Sequence, residues 1–188
     1  MPDYYVVVDI KEGRKEGYIL AENRDVALVS FLAKEDIPED DVHDDSWTVT
    51  KVYHLRMDRL SDFLGEPDPW GCDVEFDPSM IGDDDGTVTA NTSNDDFTSP
   101  VTNHRWHAAR ILYLTRHPDQ LLNPVEVDNQ CFGGRIYPIP KILDGWHRYY
   151  AHLHLGFDRI RCTYGGLVDL LHYLEGKTDE LPCEDGVG

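Results

Sequence analysis

Asp144-Gly145-Trp146-His147-Arg148 sets residue types that can act on a bound ligand at close spacing. Ile139 to Leu143 before it reads as a strand, and His147 to Leu155 after it as a helix that Gly156 closes at the usual C-terminal capping position. A glycine at such a strand-to-helix turn lets the backbone bend sharply and brings amide N–H groups close to a ligand. The first turn of a helix also carries unpaired donors and a partial positive charge, so the turn suits a phosphate. Arg148 can add a bidentate charged contact, and His147 a further donor or a proton carrier near neutral pH. Asp144, at the strand end, can hold a metal ion such as Mg²⁺ beside phosphates or accept a proton from a nucleophile. The same residues also suit a plain tight turn with a surface arginine.

Other constellations carry less. His152 and His154 stand two apart on a helix and so face different ways, which suits solvated or core-edge histidines better than a shared metal. His104 and His107 could share a face but have no evident third ligand. Tyr149 and Tyr150 are expected to pack the helix on the sheet, although one could stack a base. The aspartates around Gly82-Asp-Asp-Asp-Gly86 lack the alternating ligands and distal Glu of an EF-hand loop. No Gly-rich loop ending in Gly-Lys-Ser/Thr occurs, so any ATP use would not be of the P-loop kind. Cys72, Cys131, Cys162 and Cys183 form no C-x-x-C pair, which argues against a disulfide framework or a zinc knuckle.

The elements that must position the turn follow from pattern. Tyr4 to Val8 and Gly17 to Leu20 read as strands of a hairpin about a polar turn at Lys11 to Glu16. Asn23 can cap a helix carrying Val26, Ala27, Val29, Ser30 and Phe31 and ending before Pro38. Glu35 to Asp45, with seven acids and no Lys or Arg, reads as a solvated linker. Trp47 to Leu55 alternates as a strand, and Met57 to Phe63 begins a short helix. Residues 66–100, with ten acids and no Lys or Arg, read as a mobile acidic insertion. Asn103 can cap a helix from His104 to His117 that places Trp106, Ala109 and Tyr113 on its buried side. Pro124 to Val127 makes a strand, Gly133-Gly134 a turn, Phe157 to Thr163 another strand, and Leu167 to Leu174 a last helix before Gly176. The expected fold class is α/β in the α+β sense, a mixed sheet with helices, preceded by a small ββα element. Residues 1–46 form that element, 47–176 the main domain with its acidic insertion, and 177–188 a tail.

Composition bounds the function. A chain of 188 residues suits one domain or two small ones, and 40% hydrophobic with 11% aromatic residues can bury a sizeable core. No run approaches the roughly 18 apolar residues of a membrane span. Met1 to Ile10 lacks the basic flank and apolar core of a signal peptide, so a cytoplasmic protein with no membrane partner is expected. A net charge of −19 speaks against nucleic acid, whose phosphates need Lys and Arg on the contact face. The charge is uneven, however. Residues 101–162 carry eight basic residues against five acids and hold six of the nine histidines, leaving −22 for the remainder. That basic region leaves DNA open as a partner, while the acidic remainder opens a different class, a non-enzymatic nucleic-acid mimic that blocks a basic surface of another protein.

Pro124-Val-Glu-Val127, Ile142-Leu-Asp-Gly-Trp-His-Arg-Tyr-Tyr-Ala151, Leu155-Gly156 and Ile160-Arg-Cys-Thr163 together resemble the core of the ParB/sulfiredoxin superfamily. The likeness covers about residues 122–164, and Val52 to Leu60 resembles the family's opening strand. It implies a ParB/sulfiredoxin-like mixed sheet and a turn that binds nucleotide phosphates through Gly145, Trp146, His147 and Arg148. Sulfiredoxins place a reactive cysteine just before the His-Arg pair, where this chain has Trp146, so sulfinic acid reduction is not expected. Partitioning ParB proteins have two arginines in the turn and a helix-turn-helix domain after it, whereas only 12 residues follow Gly176 here. In size and single-core plan the chain resembles plasmid fertility-inhibition proteins of the oncogenic-suppression type. The resemblance implies an ATPase with DNase activity that uses ATP and Mg²⁺ and inhibits conjugative plasmid or T-DNA transfer, in contact with a conjugation-machinery protein. In that reading Asp144, His147 and Arg148 are catalytic and Asp144 is the metal ligand. A free amino-acid kinase of the same superfamily is a further possibility.

Overall fold

A computed structural model describes residues 1–43, 46–64, 104–130 and 136–182. The expected acidic insertion, the Gly133-Gly134 turn, Cys72, Cys131 and Cys183 lie outside these residues, as do the side chains of His104, Trp106, His107 and Ala109. The elements in chain order are β1 (Asp3–Ile10), β2 (Gly13–Leu20), α1 (Arg24–Lys34), β3 (Trp47–Arg56), α2 (Met57–Leu64) and α3 (His104–Arg116). They continue with β4 (Val125–Gln130), β5 (Ile136–Asp144), α4 (Trp146–Leu155), β6 (Arg159–Gly165) and α5 (Val168–Glu175). Among the described residues no helix is long and apolar enough to cross a membrane.

The strands form one mixed sheet in the order β2-β1-β3-β6-β4-β5. β4 and β6 run parallel, and the other neighbours are antiparallel. β3 divides its pairing: Trp47 to Val52 bond to β1, and Tyr53 to Arg56 bond to β6. The hairpin of residues 1–46 therefore continues the sheet of the main domain. β1 owes its unbroken Tyr5-Val6-Val7-Val8 run to burial on both faces. Val6 and Val8 pack under Ala27, Phe31 and Leu32 of α1, while Tyr5 and Val7 meet Val52 on the opposite face. A second core gathers Leu55, Leu60, Ile111, Tyr149, Ile160 and Leu170 with their neighbours from β3 to α5.

Three local expectations change. The hairpin turn contracts from Lys11–Glu16 to Lys11-Glu12, because Gly13 at φ +127° takes the reversal and Ile10 then pairs with Gly13. Asn23 caps α1 as expected, its Oδ1 accepting from Val26 N–H at 3.0 Å, yet Val26 and Val29 are exposed and the buried stripe is Ala27, Phe31 and Leu32. Glu35 to Asp45 is not wholly a solvated linker. Asp36 takes a left-handed conformation at φ +55°, Ile37 N–H donates to Leu32 C=O at 2.9 Å, and Ile37 is buried with Leu32. This is a Schellman closure, whose apolar contact fastens the acidic segment to the helix it leaves.

At the far end of β4, Asn129 is fully buried and its Oδ1 accepts from Leu167 N–H at 3.0 Å, so a strand side chain satisfies a donor at the start of α5. Gly166 makes room for it: at φ +139°, a Cβ there would lie 1.3 Å from Asn129 Oδ1. Gly166→Ala should therefore destabilise the fold by roughly 2–4 kcal/mol, the sum of backbone strain and a displaced buried hydrogen bond. The denaturation midpoint measures this, and a loss near zero would show that Asn129 and the turn relax together.

Candidate functional site

The strand-to-helix turn forms as the sequence predicts, with Gly145 at its hinge. Gly145 sits at φ +95°, ψ +21°, directly before α4, and its carbonyl accepts the first helical bond from Tyr149 N–H at 2.9 Å. Two constraints make this position a glycine. The left-handed backbone disfavours a side chain, and a Cβ would lie 2.8 Å from Arg148 Nη2 and 3.1 Å from Val125 Cγ2. Arg148 thus lies against the bare backbone of the turn. No side chain caps the start of α4.

The turn lines a cleft of about 570 Å³. Leu143 to Arg148 form one wall, so all five sequence-predicted residues Asp144, Gly145, Trp146, His147 and Arg148 face it. The rest of the lining comes from the N-terminal hairpin through Tyr5, Glu16 and Gly17, from Arg110 and Leu114 of α3, and from Asp119, Gln120, Leu122 and Asn123. Those two sets escape a sequence reading because long-range pairing brings them in. Tyr5 and Gly17 sit in a hairpin more than a hundred residues upstream, and only the β1–β3–β6 order delivers them.

Within the cleft, Arg148 Nη2 donates to Asp144 Oδ2 at 2.8 Å and to Pro124 C=O at 3.3 Å, while Arg148 Nε is buried with no hydrogen-bond partner among the described residues. Asp144 is largely exposed, and its carboxylate serves Arg148. Trp146 is half-buried and stacks on Tyr150 at 5.9 Å between ring centres. Tyr149 and Tyr150 belong to the core and do not line the cleft, where Tyr5 and Trp146 are the tyrosine and tryptophan among the described residues. Arg110 lies 5.2 Å over the Tyr113 ring, and Gln120 Nε2 donates to the Tyr113 hydroxyl at 2.7 Å. The lining mixes signs: Arg110 and Arg148 with His147 face Glu16, Asp119 and Asp144.

Among the cations of residues 101–162 whose side chains are described, not all are engaged at the cleft. Arg110 and Arg148 enter the cleft, Arg161 lies over the Tyr18 ring at 4.2 Å, and Arg159 donates to the carbonyls of His54 and Glu175. His152 and His154 part as their spacing predicts, the first buried and the second exposed. His152 Nδ1–H donates to Arg148 C=O at 2.7 Å, bracing the helix behind the arginine. Cys162 is buried, and desolvation pushes its thiol up, which keeps it protonated and unreactive.

No group of three or more His, Cys, Asp or Glu side chains that could hold a metal occurs among the described residues. Asp144, whose carboxylate accepts from Arg148, could contribute to a Mg²⁺ site, and Mg²⁺ commonly takes only one or two carboxylates alongside substrate phosphates. Fold and cleft together define an α/β protein whose mixed sheet carries a small-molecule-sized cleft at the β5–α4 turn. The chain matches no family model, no curated protein and no solved structure.

Burial is the main cause that holds His152 below the ordinary histidine value of 6.5, and the positive Arg148 and Arg161 act in the same direction. The fold favours the neutral ring, whereas the unfolded chain takes up a proton near 6.5. This contribution to stability is present above 6.5 and is lost as pH falls from there toward the folded value. Urea midpoints should fall between about pH 7.5 and about pH 5.5, and His152→Gln should flatten that fall. An equal slope in the variant would assign the acid sensitivity to other groups.

Proposed function

We propose that the cleft binds the phosphate end of a nucleotide and that the protein is a ParB/sulfiredoxin-like ATP hydrolase. One observation carries this reading: Arg148, whose buried Nε–H has no partner among the described residues, lies against the Gly145 turn at the start of α4. Phosphate oxygens would add charge-assisted bonds to the Arg148 guanidinium beside the positive end of α4. The division of labour follows from position. Gly145 lets the backbone approach, Arg148 neutralises charge that develops on the phosphate, and His147 is placed in the same wall to pass a proton. Asp144 is the residue that would hold Mg²⁺, which when bound neutralises phosphate charge in a cleft whose lining also holds Glu16 and Asp119.

A cleft of about 570 Å³ suits a small nucleotide as the ligand of this site. Cleavage of DNA and inhibition of conjugative plasmid or T-DNA transfer are what the family resemblance adds. The acidic nucleic-acid mimic is motivated by the charge of −22 outside residues 101–162 and needs no nucleotide.

Calorimetric titration with ATP, CTP and ADP, each with Mg²⁺, tests the reading directly. Arg148→Ala should weaken binding by about 1.5–3 kcal/mol, roughly 10- to 150-fold, and Arg148→Lys should recover only part of it. Unchanged affinity in Arg148→Ala would remove the phosphate from this turn. Asp144→Asn keeps shape and loses charge, so nucleotide should still bind while phosphate release falls by about 10²-fold or more. A hydrolysis-dead Asp144→Asn protein that still inhibited transfer fully in cells would favour the acidic mimic.

A further inference from the structure

Leu122, Asn123 and Pro124, the three residues leading into β4, are each held by a side chain from a different element. The Tyr18 hydroxyl of β2 donates to Leu122 C=O, the Tyr5 hydroxyl of β1 donates to Asn123 Oδ1, and Arg148 Nη2 of α4 donates to Pro124 C=O at 3.3 Å. Leu122 and Asn123 line the cleft together with Tyr5 and Arg148. The two tyrosines are themselves immobilised. Their rings lie 5.1 Å apart, Tyr5 packs with Val7 and Val52, and the Arg161 guanidinium covers Tyr18 at 4.2 Å. Burial pushes both phenols up, that of Tyr5 to about 12, so both remain donors throughout the neutral range. Pro124, with its fixed φ, stiffens the link between Asn123 and the carbonyl that Arg148 uses.

We propose that Tyr5 and Tyr18 are positioning residues for Arg148, acting through residues 122–124, so that the N-terminal hairpin is part of the ligand site. The mechanical chain is short. The hairpin sets Leu122 and Asn123, these set the Pro124 carbonyl, and that carbonyl with Asp144 orients the guanidinium over Gly145. Without the two hydroxyls the entry to β4 loses its tether to β1 and β2. Arg148 then keeps Asp144 but loses a fixed second acceptor. The proposal concerns the same site as the nucleotide reading and takes its ligand from it.

The test uses the full chain, with ATP and Mg²⁺ as the calorimetric probe well below the melting temperature. Tyr5→Phe and Tyr18→Phe should each weaken binding by about 3- to 10-fold, the loss expected when a bound-state hydrogen bond is removed indirectly. Asn123→Ala should weaken binding in the same range as Tyr5→Phe, and the double variant of these two should lose less than the sum of the singles, because both changes remove the shared Tyr5–Asn123 bond. A merely structural role would lower melting temperature and leave the affinity of the folded protein unchanged. A second readout needs no ligand: the Arg148 Nε–H signal in isotope-labelled NMR, identified by its loss in Arg148→Lys, should shift and exchange faster in both tyrosine variants. If Arg148→Ala loses affinity while the tyrosine variants bind like wild type and leave that signal in place, the positioning role is overturned. If wild type or Arg148→Ala shows that the probe does not use Arg148, the nucleotide reading fails and the Arg148 signal alone decides the positioning role. Should Tyr5→Phe fail to fold, Asn123→Ala removes the same hydrogen bond from its other side and carries the same test.

Discussion

Everything in this molecule hangs on the divided pairing of β3. Its first six residues bond to β1 and its last four to β6, so one strand joins a hairpin to the rest of the mixed sheet. Backbone donors and acceptors must be satisfied wherever they are buried, and a strand can offer its two edges to different partners along its length. That arrangement sets the order of the whole sheet and gives each half its own apolar cluster. It also brings the hairpin's Tyr5 and Glu16 to face the β5–α4 turn, which creates the cleft.

The turn itself is governed by space. Gly145 is open because Arg148 and Val125 occupy the volume its side chain would fill. Arg148 is consequently held flat, tied to Asp144 and Pro124, with its remaining Nε–H enclosed. An arginine in that state is preorganised: little rotamer freedom remains to be lost when an anion arrives, and a buried donor without a partner gains most from one. The opposing fact is that Asp144 already supplies Arg148 with a carboxylate. An incoming phosphate must compete with it, which makes the electrostatics of the cleft a balance and ties the two residues into one functional pair.

Electrostatics at larger scale runs the same way. The eight basic residues of 101–162 look like a patch in one dimension, yet those whose side chains are described are dispersed by the fold. Arg161 spends its charge on Tyr18 and Asp3, and Arg159 on two carbonyls. Arg59, unremarked in the sequence, is buried and binds the carbonyl of Tyr173 at 2.7 Å and Asp179 at 2.5 Å, tethering the start of the C-terminal tail. Charges that a linear reading assigns to a partner are in several cases consumed by the chain's own backbone and aromatic rings.

Local chemistry determined what was legible in the sequence. The Asn23 cap, the left-handed Gly156 and Gly176 closures, the β3 strand and the glycine turn at 145 each depend on residues within a few positions of one another and form as their patterns predict, although strict alternation fails in β3, where Val49, Val52 and Leu55 are the buried residues. The five residues of the turn were identifiable for the same reason. Their surroundings were not. That Tyr5, Tyr18 and Asn123 would brace Arg148, that Asn129 would serve the start of α5 across Gly166, and that Ile37 would be drawn from an acidic segment into the core all depend on contacts distant in the chain or on packing volume. Periodicity and capping report the preferences of a single segment. Which segments meet was decided by sheet order and by the need to bury both faces of β1, and those are properties of the assembled fold.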